Sequence, residues 1–226
     1  KLDEDKCIGC GLCLKNCPCQ TLALVEREPS PLQQPACQFA CPCGTDIRGY
    51  IKALNGGASL ETAWRMIVQT NPLPAVTGRV CPHMCESACN RCGVDAPLNI
   101  NKMESSIGDY GIERDLAFEK PKTTNGKKVA VVGSGPSGMS CAYHLARLGY
   151  QVTVFDENDR PGGMLRTALP RFRLPEAVID KELQRIIDLG LEMRMGVTVG
   201  KDIGLDDLRK DYQAVYVAIG AQNGKA

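Results

Sequence analysis

Charge of one sign is scarce in this 226-residue chain: 27 Lys and Arg stand against 26 Asp and Glu, a formal net charge of +1. That balance gives no electrostatic reason to expect nucleic acid or an anionic membrane as partner. Long apolar runs are missing too. None approaches the roughly 18 residues that crossing a bilayer takes, so no membrane insertion is expected and the reading places the chain in the cytoplasm. There is no initiator Met, and only one glycine-rich nucleotide fingerprint occurs before the sequence stops on a strand-and-turn pattern. We therefore expect a piece of a longer polypeptide, the alternative being a short natural subunit.

What the chain has in plenty is cysteine, thirteen in all. Five lie in 7–19, three in 37–43, four in 81–92, and Cys141 stands apart. In a secreted domain they would suggest disulfides; beside an intracellular nucleotide motif, metal ligation is the better reading.

That motif organises the second half. Val129–Val132 is apolar on both faces and β-branched, as a buried strand should be. Gly133-Ser134-Gly135-Pro136-Ser137-Gly138 follows at once, then a helical pattern from Met139 to Leu148 closed by Gly149, and a second strand from Gln151 to Phe155 ending at Asp156. In a dinucleotide fold the first glycine permits a tight turn, the second lets backbone approach the pyrophosphate, and the third lets helix pack on strand. The helix N-terminus offers free N–H groups to the phosphates. Asp156 is placed to accept hydrogen bonds from a ribose hydroxyl.

At the front, Cys7-x2-Cys10-x2-Cys13-x3-Cys17-Pro18 has the bacterial ferredoxin spacing. Residues 1–25 resemble half of a two-cluster ferredoxin, in which the fourth cysteine serves the other cluster. Cys17 thus either completes a local 4Fe–4S cluster or ligates one upstream. Zinc is the rival, though its four-ligand sites usually come as two separated CxxC pairs. Cys19 reads as a packing residue. Residues 26–36, rich in Pro and Gln, read as a linker.

Residues 37–120 carry two helical patterns. One runs from Asp46 to Asn55 with Ile47, Tyr50, Ile51 and Leu54 on one face; the other is capped by Ser59, with Ala63, Trp64, Ile67 and Val68 inward. The flanking loops hold Cys37-x3-Cys41-Pro42-Cys43 and Cys81-Pro82-x2-Cys85-x3-Cys89-x2-Cys92. Such an arrangement suits a scaffold that holds metal between loops.

PACQFACP, NPLPAVTGRVCPHMCESAC, PLNINKMES, the glycine-rich unit, PGGML, PRFRLPEAVID and VYVAIGA together resemble glutamate synthase small subunits. They also resemble the large subunit of NADH-dependent ferredoxin:NADP oxidoreductase and the N-terminal half of dihydropyrimidine dehydrogenase. The resemblance covers about residues 35–222. It implies an α-helical iron–sulfur domain followed, over 121–226, by an α/β Rossmann-like FAD domain of the glutathione-reductase type, with NAD(P)H bound by a domain not in this chain. It further implies Cys41, Cys81 and Cys85 as ligands of one 4Fe–4S cluster, with Glu104 as the fourth. Cys37 and Cys89 match two ligands of a second cluster. Its other two should fall near Pro29 and Leu32, where no cysteine stands. The extra thiols Cys43 and Cys92 can substitute, giving two to three clusters in all. Gly162, Gly163, Met164 and Leu165 match the loop along the flavin, and Arg173 a residue reaching the FAD pyrophosphate, where a guanidinium fork suits phosphate. Ala218 and Gly220 match the turn beside the flavin's nucleotide half. A strand is expected over Val197–Val199, with Val199 at the cofactor.

The function so implied is the electron-transfer portion of a flavin- and iron–sulfur-dependent NAD(P)H oxidoreductase. Its expected partners are ferredoxin or other redox subunits of a larger complex, such as a hydrogenase or formate dehydrogenase. Flavin converts two-electron hydride chemistry into single-electron steps that clusters accept, so no catalytic side chain is named. The alternatives are a subunit feeding glutamate synthase, or an electron-transfer scaffold without nicotinamide chemistry.

Overall fold

The structure, a computed structural model, describes residues 35–221. The ferredoxin-like segment with Cys7, Cys10, Cys13 and Cys17, and nearly all of the linker, lie outside the described residues.

The first described half is helical: α1 (Ala36–Ala40), α2 (Ile47–Asn55), α3 (Leu60–Ile67), α4 (Pro74–Val80), α5 (Met84–Ser87), a 3-10 turn (Asn90–Gly93) and α6 (Ile100–Glu113). Local chemistry sets the helix starts. The Asp46 carboxylate accepts from Gly49 N at 2.9 Å, and Ser59 Oγ accepts from Thr62 N at 3.2 Å, each satisfying a donor that the first turn leaves free. Pro74 begins α4, where its missing N–H costs nothing. Ile47, Tyr50, Ala63, Trp64 and Ile67 are buried as their spacing predicts. Helix α6 crosses α4 closely enough that a Cβ on Gly108 would lie 2.3 Å from Ala75 N.

The second half is an α/β unit. Strands β1 (Lys128–Val132), β2 (Gln151–Asp156), β3 (Glu192–Met195) and β4 (Ala214–Val217) form one parallel sheet in the order β3-β2-β1-β4. Helices α7 (Pro136–Arg147), α8 (Met164–Thr167), α9 (Glu176–Ile187) and α10 (Leu205–Asp211) connect them. The chain goes one way from β1 to β2 and β3, then returns to β1's other side with β4. That reversal opens a crevice at the carboxyl ends of β1 and β4, where open α/β sheets bind ligands.

One expected strand is corrected. Val197–Val199 is no strand, and Val199 makes only an isolated bridge to Ile203. The third strand lies earlier, at Glu192–Met195. As a sheet edge it exposes Glu192 and Arg194, so it lacks the apolar run that marks a central strand, and Gly196 at φ +70° turns the chain at its end. Helix α9 follows Pro175 and stops at Ile187.

The two halves share one core. Phe118 lies between Trp64, stacked at 5.4 Å, and Tyr143 of α7, edge-on at 4.6 Å. Tyr143 donates its hydroxyl to Val68 O at 2.7 Å. On α9, fully buried Glu182 accepts from Ala75 N at 3.1 Å and from Arg185 at 2.8 Å, while the Arg185 guanidinium sits 5.1 Å over Trp64. A helix of the α/β unit thereby caps the N-terminus of α4, the helix that runs directly into Cys81. Burial pushes the Glu182 carboxyl up against the pull of Arg185.

Candidate functional site

At the carboxyl ends of β1, β2 and β4 lies a cavity of about 500 Å³. The glycine spacing builds its floor. Gly133 has φ +105°, and a Cβ there would meet Ala218 O at 2.2 Å, so the turn at the end of β1 fits against the turn after β4 only as glycine. A Cβ on Gly138 would lie 1.9 Å from Gly133 O, which is how α7 closes onto its own strand. At Gly135, by contrast, a Cβ would meet nothing within 4 Å, so that backbone lies open to the cavity. Pro136 and Ser137 start α7 on the cavity wall, pointing the helix's free N–H groups inward. The Gly162-Gly163 loop is fastened to this turn by Gly162 N donating to Ser134 O at 3.0 Å, and a Cβ on Gly163 would lie 3.1 Å from Gly135 Cα.

Among the residues named from the sequence, Gly133, Gly135, Pro136, Ser137, Asp156, Gly163, Met164, Val199, Ala218 and Gly220 line the cavity. Ser134, Gly138, Gly162 and Leu165 are buried behind it. Arg173 is not brought there: it is exposed, and its Nε donates to Arg79 O at 3.4 Å, near the end of α4.

Asp156 has a fuller part than its position suggested. Its Oδ2 accepts from Ser134 N and Ser134 Oγ, each at 2.6 Å, and its Oδ1 accepts from Asn158 N at 2.9 Å and Asn158 Nδ2 at 2.8 Å. A carboxylate has about four acceptor positions, and all are filled from its own chain. Burial works to raise this carboxyl, but those four bonds outweigh it and hold it below the ordinary range. Exposed Glu157, the next residue, lines the cavity as well, as do Thr198 and Ile219. Ile219 belongs to the turn of Ala218 and Gly220 already named from the sequence, whereas Glu157 and Thr198 were passed over; the only signal for Glu157 is a second acid beside the first.

The second site lies where α1, α4, α5 and α6 end or cross. Cys41 follows α1, Cys81 follows α4, Cys85 is on α5 and Glu104 on α6. The Cys41 thiol donates to Thr45 Oγ1 at 3.7 Å, and Cys43 lies two residues on, beyond Pro42. The neighbouring Cys43 side chain, then the Thr45 and Cys43 donors, hold the Cys41 thiol down to about 5. Burial, followed by the charges of Glu104, Cys41 and Cys81, pushes Cys85 up to about 12. Burial and then Cys41 push Glu104 up to about 7, while Tyr50 donates its hydroxyl to Glu104 Oε1 at 3.4 Å. These mutual effects mark the groups as neighbours across one cleft, and the buried Tyr50 hydroxyl fixes the carboxylate's orientation.

Cys37 and Cys89 form a separate neighbouring pair, with Cys37 raised first by burial and then by Cys89. The two extra thiols part company. Both are exposed, but Cys43 stands with the Cys41 group, whereas the Cys92 thiol donates to Glu86 O at 3.5 Å. His83, in the left-handed region at φ 56°, precedes α5. All eight described cysteines are free thiols. Among the described residues no three His, Cys, Asp or Glu side chains close in tightly enough for one metal ion. An iron–sulfur cubane asks for a wider ring, because each ligand holds a different iron. Cys141 is raised by burial alone, as expected of a packing residue.

Comparison with known proteins follows the same division. Residues 31–116 match the family described as dihydropyrimidine dehydrogenase domain II, 4Fe–4S cluster. Residues 131–190 match an NAD(P)-binding Rossmann-like domain, and residues 1–22 a 4Fe–4S binding domain. The chain is 36% identical over 193 residues to the NAD-dependent dihydropyrimidine dehydrogenase subunit PreT of Escherichia coli O157:H7, covering 83% of this chain and 46% of that protein. It is 36% identical over 212 residues to the NADP(+)-dependent formate dehydrogenase subunit beta of Moorella thermoacetica, covering 84% and 30%. It is also 33% identical over 226 residues to the glutamate synthase [NADPH] small chain of Escherichia coli K12, covering 97% and 42%. The chain thus spans less than half the length of these curated relatives. Among the described residues no helix is long and apolar enough to cross a membrane.

Proposed function

We propose that this chain belongs with the iron–sulfur oxidoreductase subunits it resembles, PreT and the glutamate synthase small chain among them, and that it is the wiring portion of a flavin- and iron–sulfur-dependent NAD(P)H oxidoreductase. In the complete protein it passes electrons between nicotinamide, FAD and ferredoxin-type clusters, within a complex of redox subunits. One observation carries this reading: the cysteine cleft and the glycine-lined cavity are fixed to a single core, with α4 leading into Cys81 and held at its start by Glu182 of α9. Flavin, when bound, supplies the exchange between hydride and single-electron chemistry.

The α/β unit is read as an FAD domain of the glutathione-reductase type. The open Gly135 backbone and the α7 N-terminus receive the pyrophosphate, and the Gly163–Met164 edge lies along the flavin. Asp156 holds the turn rigid. A ribose hydroxyl either displaces one of its four partners or turns to Glu157. Arg173 serves the pyrophosphate only if it leaves Arg79 O. In the helical domain, Cys41, Cys81 and Cys85 supply three thiolates of one cluster, with the fourth donor drawn from Cys43 or Glu104. Cys37 and Cys89 supply two ligands of a second cluster. The match to the glutamate synthase small chain over 97% of this chain favours a second reading, in which the electrons serve glutamate synthesis.

The test is to photoreduce the flavin anaerobically and follow the clusters by electron paramagnetic resonance. Acid release should yield FAD, and cluster signals should grow as the flavin is reduced. Release of a nicotinamide dinucleotide in its place, or cluster signals indifferent to illumination, would refute the reading.

A further inference from the structure

The loop beside the nucleotide cavity is gripped from both sides. Toward the cavity, Gly162 N donates to Ser134 O at 3.0 Å, and Gly163 and Met164 form part of the lining. Behind the lining, Arg166 of α8 donates through Nε to Pro161 O at 2.6 Å and pairs through Nη2 with Asp180 of α9. Resting on the FAD reading above, we infer that Arg166 is a positioning residue for the flavin: it touches no part of the nucleotide, but through Pro161 and Asp180 it sets where the Gly163–Met164 edge stands.

The chemistry of this place asks for a guanidinium. Pro161 has no N–H, so its carbonyl is the one backbone group by which it can be held. A single side chain must reach that carbonyl and a carboxylate on another helix at once. The planar fork does so in fixed geometry, whereas a lysine ammonium is a compact charge on a flexible stem. Gly162 makes the room: at φ +126°, a Cβ there would lie 3.1 Å from Arg166 Nε and 3.2 Å from its Cγ. Arg160 also donates to Asp180, at 3.0 and 3.1 Å, but its side chain is 55% exposed and that of Arg166 only 10%. Water and salt therefore weaken the Arg160 contact far more than the enclosed one. The Nη1 of Arg166 is buried without a partner, so Nε and Nη2 make all of its hydrogen bonds. The clamp ends on α9, whose Glu182, two residues after Asp180, holds the start of α4. One helix thus fixes both the flavin-side loop and the helix that leads into Cys81.

The full chain, stripped of flavin, is titrated with FAD and separately with ADP, which is FAD without its riboflavin. In Arg166→Lys, FAD affinity should fall about tenfold, the effect of one charge-assisted hydrogen bond. The fluorescence of the bound flavin should rise as the ring loses its edge contact. ADP affinity and iron content should match the wild type, because Gly133, Gly135 and the start of α7 are untouched. Asp180→Ala, at a half-exposed position, should shift FAD in the same direction and leave ADP alone. If FAD and ADP weaken together in Arg166→Lys, the side chain is a prop of the fold and the inference is overturned. Unchanged FAD affinity and fluorescence overturn it too. Should Arg166→Lys not fold, Asp180→Ala decides by the same two outcomes. A wild-type chain that binds ADP but not FAD would instead sink the flavin reading itself, and the inference with it.

Discussion

The two candidate sites are built in opposite ways. The nucleotide cavity is made of backbone: strand ends, a helix start and glycines whose missing side chains let three turns touch. Its one engaged carboxylate, Asp156, has all four acceptor positions filled by Ser134 and Asn158. The cysteine cleft is made of side chains carried by loops and short helices, and its donors perturb one another, from Cys41 held down to about 5 to Cys85 pushed up to about 12. The lesson is that the cavity is shaped before its ligand arrives, whereas the cleft is a set of reactive groups awaiting metal to take their protons.

The sharpest break in that comparison removes a thiolate. Cys81→Ser should cost one whole cluster, about four irons per chain, while flavin content stays unchanged. Metal analysis beside flavin absorbance checks this, and joint loss would mean that the sites are not independent. Next comes the link between them. Glu182→Ala leaves the Arg185 guanidinium buried without its carboxylate and removes the cap on α4, a loss of about 3–5 kcal/mol. Denaturant unfolding should show it, with flavin and iron retention falling together. A smaller effect belongs to the cavity alone. Gly133→Ala puts a methyl group against Ala218 O at a backbone angle that favours glycine, costing about 3 kcal/mol. It should empty the nucleotide site and spare the iron. Asp156→Asn is the mildest, about 2 kcal/mol, because an amide cannot accept from both Ser134 donors and both Asn158 donors. Since the folded state holds Asp156 below its ordinary value of 3.8, its contribution is present above that pH and drains away as pH falls below it. Acid unfolding of the wild type should therefore be steeper than that of the asparagine variant.

The sequence showed the cavity more clearly than the cleft. Strand, glycines, helix, strand and acid come in an order that only a few folds use, and β1, α7 and β2 stand where that order puts them. The cap on Ser59 was equally plain, because its chemistry is local, whereas Asp46 was read only as the start of a helix and not as its cap. The edge strand β3 was hidden by its charged residues, and an apolar stretch just beyond it drew the assignment instead. Glu182 was hidden for a related reason: in EAVIDKELQRII an acid on a helix looks solvated, and only the packing of α9 on α4 makes it the buried clasp. Cys43 could be placed beside Cys41 from the sequence, but the turn that Gly44 closes onto Cys41 O depends on a backbone angle the spacing does not encode. Arg173 at Arg79 and the filled acceptors of Asp156 are also products of three-dimensional contact that no spacing encodes.

The most direct test of the whole account is quantitative iron, acid-labile sulfide and flavin analysis of the anaerobically purified chain. The account predicts iron and sulfide in equal amounts, at no fewer than about four of each per chain, together with one FAD. Zinc or cystine in place of iron and sulfide would contradict it.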